Sequence, residues 1–219
     1  MSSTSSLYAA LVDVSKEAVR RLDEHPVGGR LVRGNLPAPL YAAYLTHVVR
    51  QVRESAPMLA DASRRLERRG RGTLAALLGT KASEEDGHDR WALDDLAVLG
   101  VTPEQVYASP APAALNAYVA WTRYCAEQAP TAVLGLAWVL EWFGYARAGR
   151  AADNLVAHSG IPRIESAVKF LRGHGEADRH HIEALAAGLW EITDAREAAG
   201  VVLSAQVTAT LYTDFFGPQ

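Results

Sequence analysis

The stretch His174-Gly175-Glu176-Ala177-Asp178-Arg179-His180-His181 decides how the rest of the chain is read. On a helix each residue advances by about 100°, so Asp178 stands roughly 40° from His174 and His181 roughly 20° to its other side. Two imidazoles and a carboxylate then share one narrow face, while His180 points about 100° away from His181. Nitrogen and oxygen donors of this kind suit iron, manganese and zinc. The alternative is a polar helix face in water. Flanking apolar residues predict a helix from about Ile164 to Trp190.

Upstream, Thr131 to Ala146 reads TAVLGLAWVLEWFGYA, and Glu141 is its one charge. A helix apolar on all sides is buried, and a lone carboxylate inside it is costly unless a cation or a hydrogen-bond donor meets it. Glu141 is therefore read as a metal ligand, with a buried Glu–Arg pair or a protonated Glu as the plainer reading. Further upstream lies Glu84-Glu85-Asp86-Gly87-His88-Asp89, in a predicted helix from about Thr73 to Leu99. Glu85 and Glu84 precede His88 by three and four residues, so either carboxylate can reach an ion shared with the imidazole. A Glu-x2-His spacing recurs in helical di-iron carboxylate proteins. Gly87 in a helix interior costs about 1 kcal/mol against Ala.

The remaining chain also shows helical periods. Leu7 to Leu22 reads as an amphipathic helix, His25 to Pro39 as a loop, and Leu40 to Arg69 as a long helix that Pro57 kinks or breaks. Thr102-Pro103 starts a short helix, Ala113 to Gln128 a longer one, and about Asp194 to Phe216 the last. No alternating strand pattern or phosphate-binding Gly-rich loop is present. The expectation is an all-α, single helical domain over 1–219, with its core at about 5–190 and a C-terminal helix at about 194–216.

Composition narrows the function. Of 219 residues, 49% are hydrophobic, enough for a sizeable core, and the net charge of −3 argues against a nucleic-acid binder. The single Cys125 leaves no internal disulfide or Cys-rich zinc site, and is read as a buried structural thiol. No run of about 18 apolar residues suggests a membrane span. A cytoplasmic protein is expected.

Together the three stretches offer Glu85, His88, Glu141, His174, Asp178 and His181, with Glu84 as an alternative to Glu85. Three carboxylates and three imidazoles suffice for two metals with positions left open. Iron fits best, manganese is an alternative and zinc fits less well. Tyr44, His47, Lys81, Trp121, Trp138, Trp142 and Tyr145 are candidates for a substrate pocket.

Glu84-Glu85-Asp86-Gly87-His88 with Trp91 and Asp94-Asp95-Leu96, then the isolated Glu141, then His174-x3-Asp178-x2-His181, resemble the heme-oxygenase-like di-iron oxidases and oxygenases. That group shares its fold with the thiaminase-type TENA proteins and the pyrroloquinoline-quinone synthase. The resemblance covers roughly residues 5 to 190. It implies a seven-helix bundle with an interior metal site, two irons (Fe2+/Fe3+) held by the six donors, dioxygen as co-substrate and an external electron donor. The implied substrate is a small metabolite, amine- or amino-acid-like, undergoing N-oxygenation or oxidative C–C cleavage in natural-product or cofactor biosynthesis. Neither nucleic acid nor membrane is an expected partner, and a homodimer is compatible. One departure stands out: some members carry the first carboxylate seven residues before the histidine, where this chain has Lys81. The alternatives are a metal-free enzyme of the same fold and a non-catalytic helical protein that binds a ligand or haem.

Overall fold

The structure, a computed structural model, describes residues 3–216, except for the side chains of 3–5 and 176–179. Helix α1 (Ser3–Glu24) follows the first predicted period. The expected loop after it contains a short helix, α2 (Gly28–Arg33). The predicted helix from Leu40 to Arg69 is two, α3 (Ala38–Val52) and α4 (Ser55–Arg68). Pro57 explains the break, because it has no N–H to give the Arg53 carbonyl one turn back.

The predicted helix from Thr73 to Leu99 is also divided, into α5 (Gly72–Glu85) and α6 (Asp89–Val98). Gly87 lies between them with φ +84°, a left-handed conformation that side chains resist. It acts as a turn, not as the helix-interior residue expected. The short α7 (Pro103–Ala108) begins in a capping box of Thr102 and Gln105, and α8 (Ala113–Gln128) matches its prediction. The apolar stretch forms α9 (Val133–Phe143), one π turn at Gly144–Ala148, and α10 (Gly149–His158). Helices α11 (Lys169–Leu189) and α12 (Ala195–Asp214) complete the chain, the second capped by Asp194. The described residues contain no strand.

Counting α3 with α4, α5 with α6, and α9 with α10 as single runs, the described residues form seven long runs: these three, α1, α8, α11 and α12. The first two runs pair along their length, α4 on α5 and α3 on α6. Helix α9 packs against α1, α11 and α12, with Val133, Leu134, Leu136, Trp138 and Val139 all buried. Each such side chain contributes about 1.5–3 kcal/mol by leaving water. No helix among the described residues is long and apolar enough to cross a membrane.

Candidate metal centre

Glu85 is the last residue of α5. The Gly87 turn brings His88 back over it, with His88 Nδ1 3.2 Å from Glu85 Oε2. The His88 ring stacks on Trp91 at 4.0 Å between centroids and meets the edge of His174 at 5.2 Å. His174 enters from α11, packed on the Phe170 ring. Its Nδ1 lies 3.0 Å from the Phe170 carbonyl oxygen and donates to it, which presents Nε2 as the lone-pair nitrogen. Burial holds the His174 pKa below its ordinary value, so the ring is in the neutral form that a cation needs.

Glu141 comes from α9 and is 6% exposed. Helix α11 approaches the run beside it closely: a Cβ on Gly175 would lie 2.7 Å from the Gly149 nitrogen. That closeness brings His181 to Glu141, with Nδ1 3.0 Å from Oε2. The preceding residue, His180, is exposed.

Two donor groups result, and Glu85 belongs to both. Glu85, His88 and His174 form one; Glu85, Glu141 and His181 form the other; within each, the ligand atoms lie within 4.8 Å of one another. Ligands about 2.1 Å from a common ion are separated by roughly 3–4 Å, so each set is compact enough for one cation. The first group fits a divalent metal. The second already holds a positive charge. Lys81 Nζ is 2.7 Å from Glu85 Oε1 and 2.7 Å from His181 Nδ1, and it is also paired with Glu141 Oε1. The expectation of two ions thus meets an ammonium at the second position. Burial alone would lower the Lys81 pKa, but Glu141 and Glu85 outweigh it and raise the value. Burial alone would likewise raise that of Glu85, but the His88 hydrogen bond and the Lys81 ammonium hold it well below the carboxylate range.

Glu84, the alternative ligand, is at the rim. Its side chain is 43% exposed and its Oε2 lies 3.4 Å from His181 Nε2. The side chain of Asp178, the third expected donor of α11, lies outside the described residues.

A cavity borders the centre, lined at its polar end by Lys81, Glu85, Glu141 and His174 and elsewhere mainly by aliphatic and aromatic groups such as Leu59, Leu136, Leu140 and Phe143. About 90 Å³ of it is open to water centres, room for several waters at about 10–15 Å³ each. Of the seven pocket candidates, Tyr44 and Lys81 line it. The other five are placed elsewhere. Trp138, Trp142 and Tyr145 follow one another on a different side of their helix, ring to ring, with Trp138 against Tyr8 of α1. Trp138 also donates to Ser15 Oγ at 3.0 Å. His47 Nδ1 is 2.9 Å from the Phe215 carbonyl oxygen, and Trp121 stacks on the exposed Tyr124. Helical period marks such residues as inward-facing without saying which neighbour they face. Cys125 is buried against Ser204 of α12, away from the cavity lining, and burial raises its pKa.

Sequence reasoning missed a positioning residue. Asp95 is fully buried and accepts hydrogen bonds from the Lys169 and Phe170 nitrogens, at 2.9 Å each. A carboxylate of α6 thereby caps the first turn of α11, the helix that carries His174 and His181. The available signal was its place next to Leu96 in the apolar series.

Residues 42–213 match the family described as iron-containing redox enzyme. No curated protein matches the sequence. Among solved structures, a domain of unknown function with a heme oxygenase-like fold from Shewanella denitrificans OS217 superposes with a TM-score of 0.81 at 21% identity, over 93% of this chain and 87% of that one. A TenA homolog from Pseudomonas syringae pv. tomato DC3000 gives 0.78 at 14% identity, over 96% and 90%. A TenA homologue from P. horikoshii OT3 gives 0.72 at 18%, over 96% of each chain. At these identities the likeness concerns the fold.

Proposed function

Since the chain belongs to the iron-containing redox enzymes, we propose that it is a non-haem iron oxidase or oxygenase that acts with dioxygen on a small metabolite. The observation that carries this reading is the Glu85–His88–His174 group, one carboxylate and two imidazoles gathered beside an interior cavity. Iron held there supplies redox chemistry with dioxygen, leading to N-oxygenation of an amine or to oxidative carbon–carbon cleavage, with electrons from an external donor. The protein supplies the rest. Phe170 and Trp91 hold the two imidazoles by packing, and the Phe170 carbonyl orients one of them. The apolar walls suit a substrate with an apolar body and one amine or amino-acid end. The charged end of the cavity, at Lys81, Glu85 and Glu141, receives the polar part.

Anaerobic loading with ferrous iron, followed by desalting and metal analysis, tests the proposal. Wild type retains iron and consumes oxygen faster with a suitable member of an amine and amino-acid panel. His174→Ala loses the iron while its far-UV dichroism stays helical; His180→Ala, at an exposed position, keeps it. Equal iron in His174→Ala and wild type would refute the site.

A second reading has its own support. Lys81 satisfies Glu85 and Glu141 without any metal, as a metal-free enzyme of this fold would require. Activity that survives complete chelation would establish it. A metal-free mechanism through a Cys125 nucleophile is not supported, because that thiol does not line the cavity.

A further inference from the structure

We propose that Lys81 takes the place of a second metal ion, so that the chain binds a single divalent ion, at Glu85, His88 and His174. This inference rests on the metal-dependent reading above. Its starting point is where the ammonium sits: Nζ contacts Glu85, Glu141 and His181, the three members of the second donor group. A cation bound by those three donors would need the volume that Nζ fills.

Glu85 divides its two oxygens between the positions. Oε1 accepts from Lys81 at 2.7 Å, while Oε2 faces His88 at 3.2 Å. The first position therefore keeps one carboxylate oxygen and two imidazoles. A two-histidine, one-carboxylate set with open positions is the donor pattern of mononuclear non-haem iron(II) oxygenases. Iron held by such a set would supply redox chemistry with dioxygen without a second ion.

Charge favours the same arrangement. Two divalent ions with the ammonium would set five positive charges against Glu85 and Glu141. One divalent ion leaves three, and the carboxylate of Glu84, whose Oε2 is 4.0 Å from Lys81 Nζ, offsets the third. The lysine is also confined. Its side chain is 5% exposed, and one way out of the centre leads into the apolar cavity. The other leads toward Glu84 at the rim, whose Oε2 is 4.0 Å from Nζ; a swing that way would open the second position.

The full-length protein, loaded anaerobically with Mn(II) and separately with Fe(II), then desalted, provides the test. Metal per chain is measured by mass spectrometry, and the Mn(II) form by electron paramagnetic resonance. The expected result is one metal per wild-type chain, with the six-line signal of an isolated Mn(II). Lys81→Glu removes the ammonium and adds a carboxylate, so its metal content doubles to two per chain and the signal becomes that of a coupled pair. Two metals per wild-type chain, or one in a folded Lys81→Glu, would overturn the inference and leave the proposed function standing. No metal in the wild type would overturn both. Should Lys81→Glu not fold, the wild-type count and signal decide the question alone.

Discussion

Asp95→Asn isolates how the helix bearing His174 is anchored. The carboxylate is fully buried and receives the first two backbone N–H groups of α11 at 2.9 Å each. Burial pushes its pKa up from the ordinary 3.8 to about 6, against the pull of the two N–H bonds. Between those values the folded chain binds the proton more tightly than the unfolded chain does. The associated stability is therefore complete below about pH 4 and is lost as pH rises through about 6. At about 1.4 kcal/mol per tenfold in affinity, the gap corresponds to about 3 kcal/mol. Asparagine has no proton to lose, so the stability of the wild type minus that of the variant should fall by about 3 kcal/mol between pH 4 and pH 7.5. Groups common to both proteins cancel in this difference. Superimposed on it is a constant loss of about 1–3 kcal/mol, because the amide NH2 faces one backbone N–H and leaves it unpaired. Urea unfolding followed by far-UV dichroism, with chelator present throughout, measures both parts. A difference that is flat with pH, or that rises with it, would refute the assignment of a proton-holding Asp95.

Two further outcomes follow from the packing. Gly175→Ala places a methyl 2.7 Å from the Gly149 nitrogen and 3.0 Å from its Cα, so α11 must withdraw at a cost of about 1–3 kcal/mol; thermal melting should fall and retained iron with it, and unchanged values of both would contradict the close approach described. Trp138→Phe removes the bond to Ser15 and should cost about 1 kcal/mol in unfolding experiments while metal content stays at the wild-type level; a loss of metal would return Trp138 to the centre.

Much of the site was legible because its signals are local. The His174–His181 register, the solitary Glu141 and the Glu-Glu-x-Gly-His stretch need only the helical period to be noticed. The division of the Thr73–Leu99 helix was less legible, since Gly87 is compatible both with a helix interior and with the left-handed turn it makes. The aromatic candidates were the weakest part: Trp138 faces α1, Trp142 follows it ring to ring, and Tyr145 ends that row at an exposed position.

The sequence by itself determined an all-helical chain, most helix positions and five residues that meet in space, Glu85, His88, Glu141, His174 and His181. Those follow from spacing along one strand of polypeptide and from the cost of isolating a charge among apolar residues. Only the tertiary structure decided that Glu85 rather than Glu84 stands between the histidines, that Asp95 holds α11 from another helix, and that the Lys81 ammonium lies among Glu85, Glu141 and His181. The physical reason is that these depend on distances between segments far apart in the chain. Such distances are set by how closely helices pack and which faces they cover, and a one-dimensional period carries no record of either.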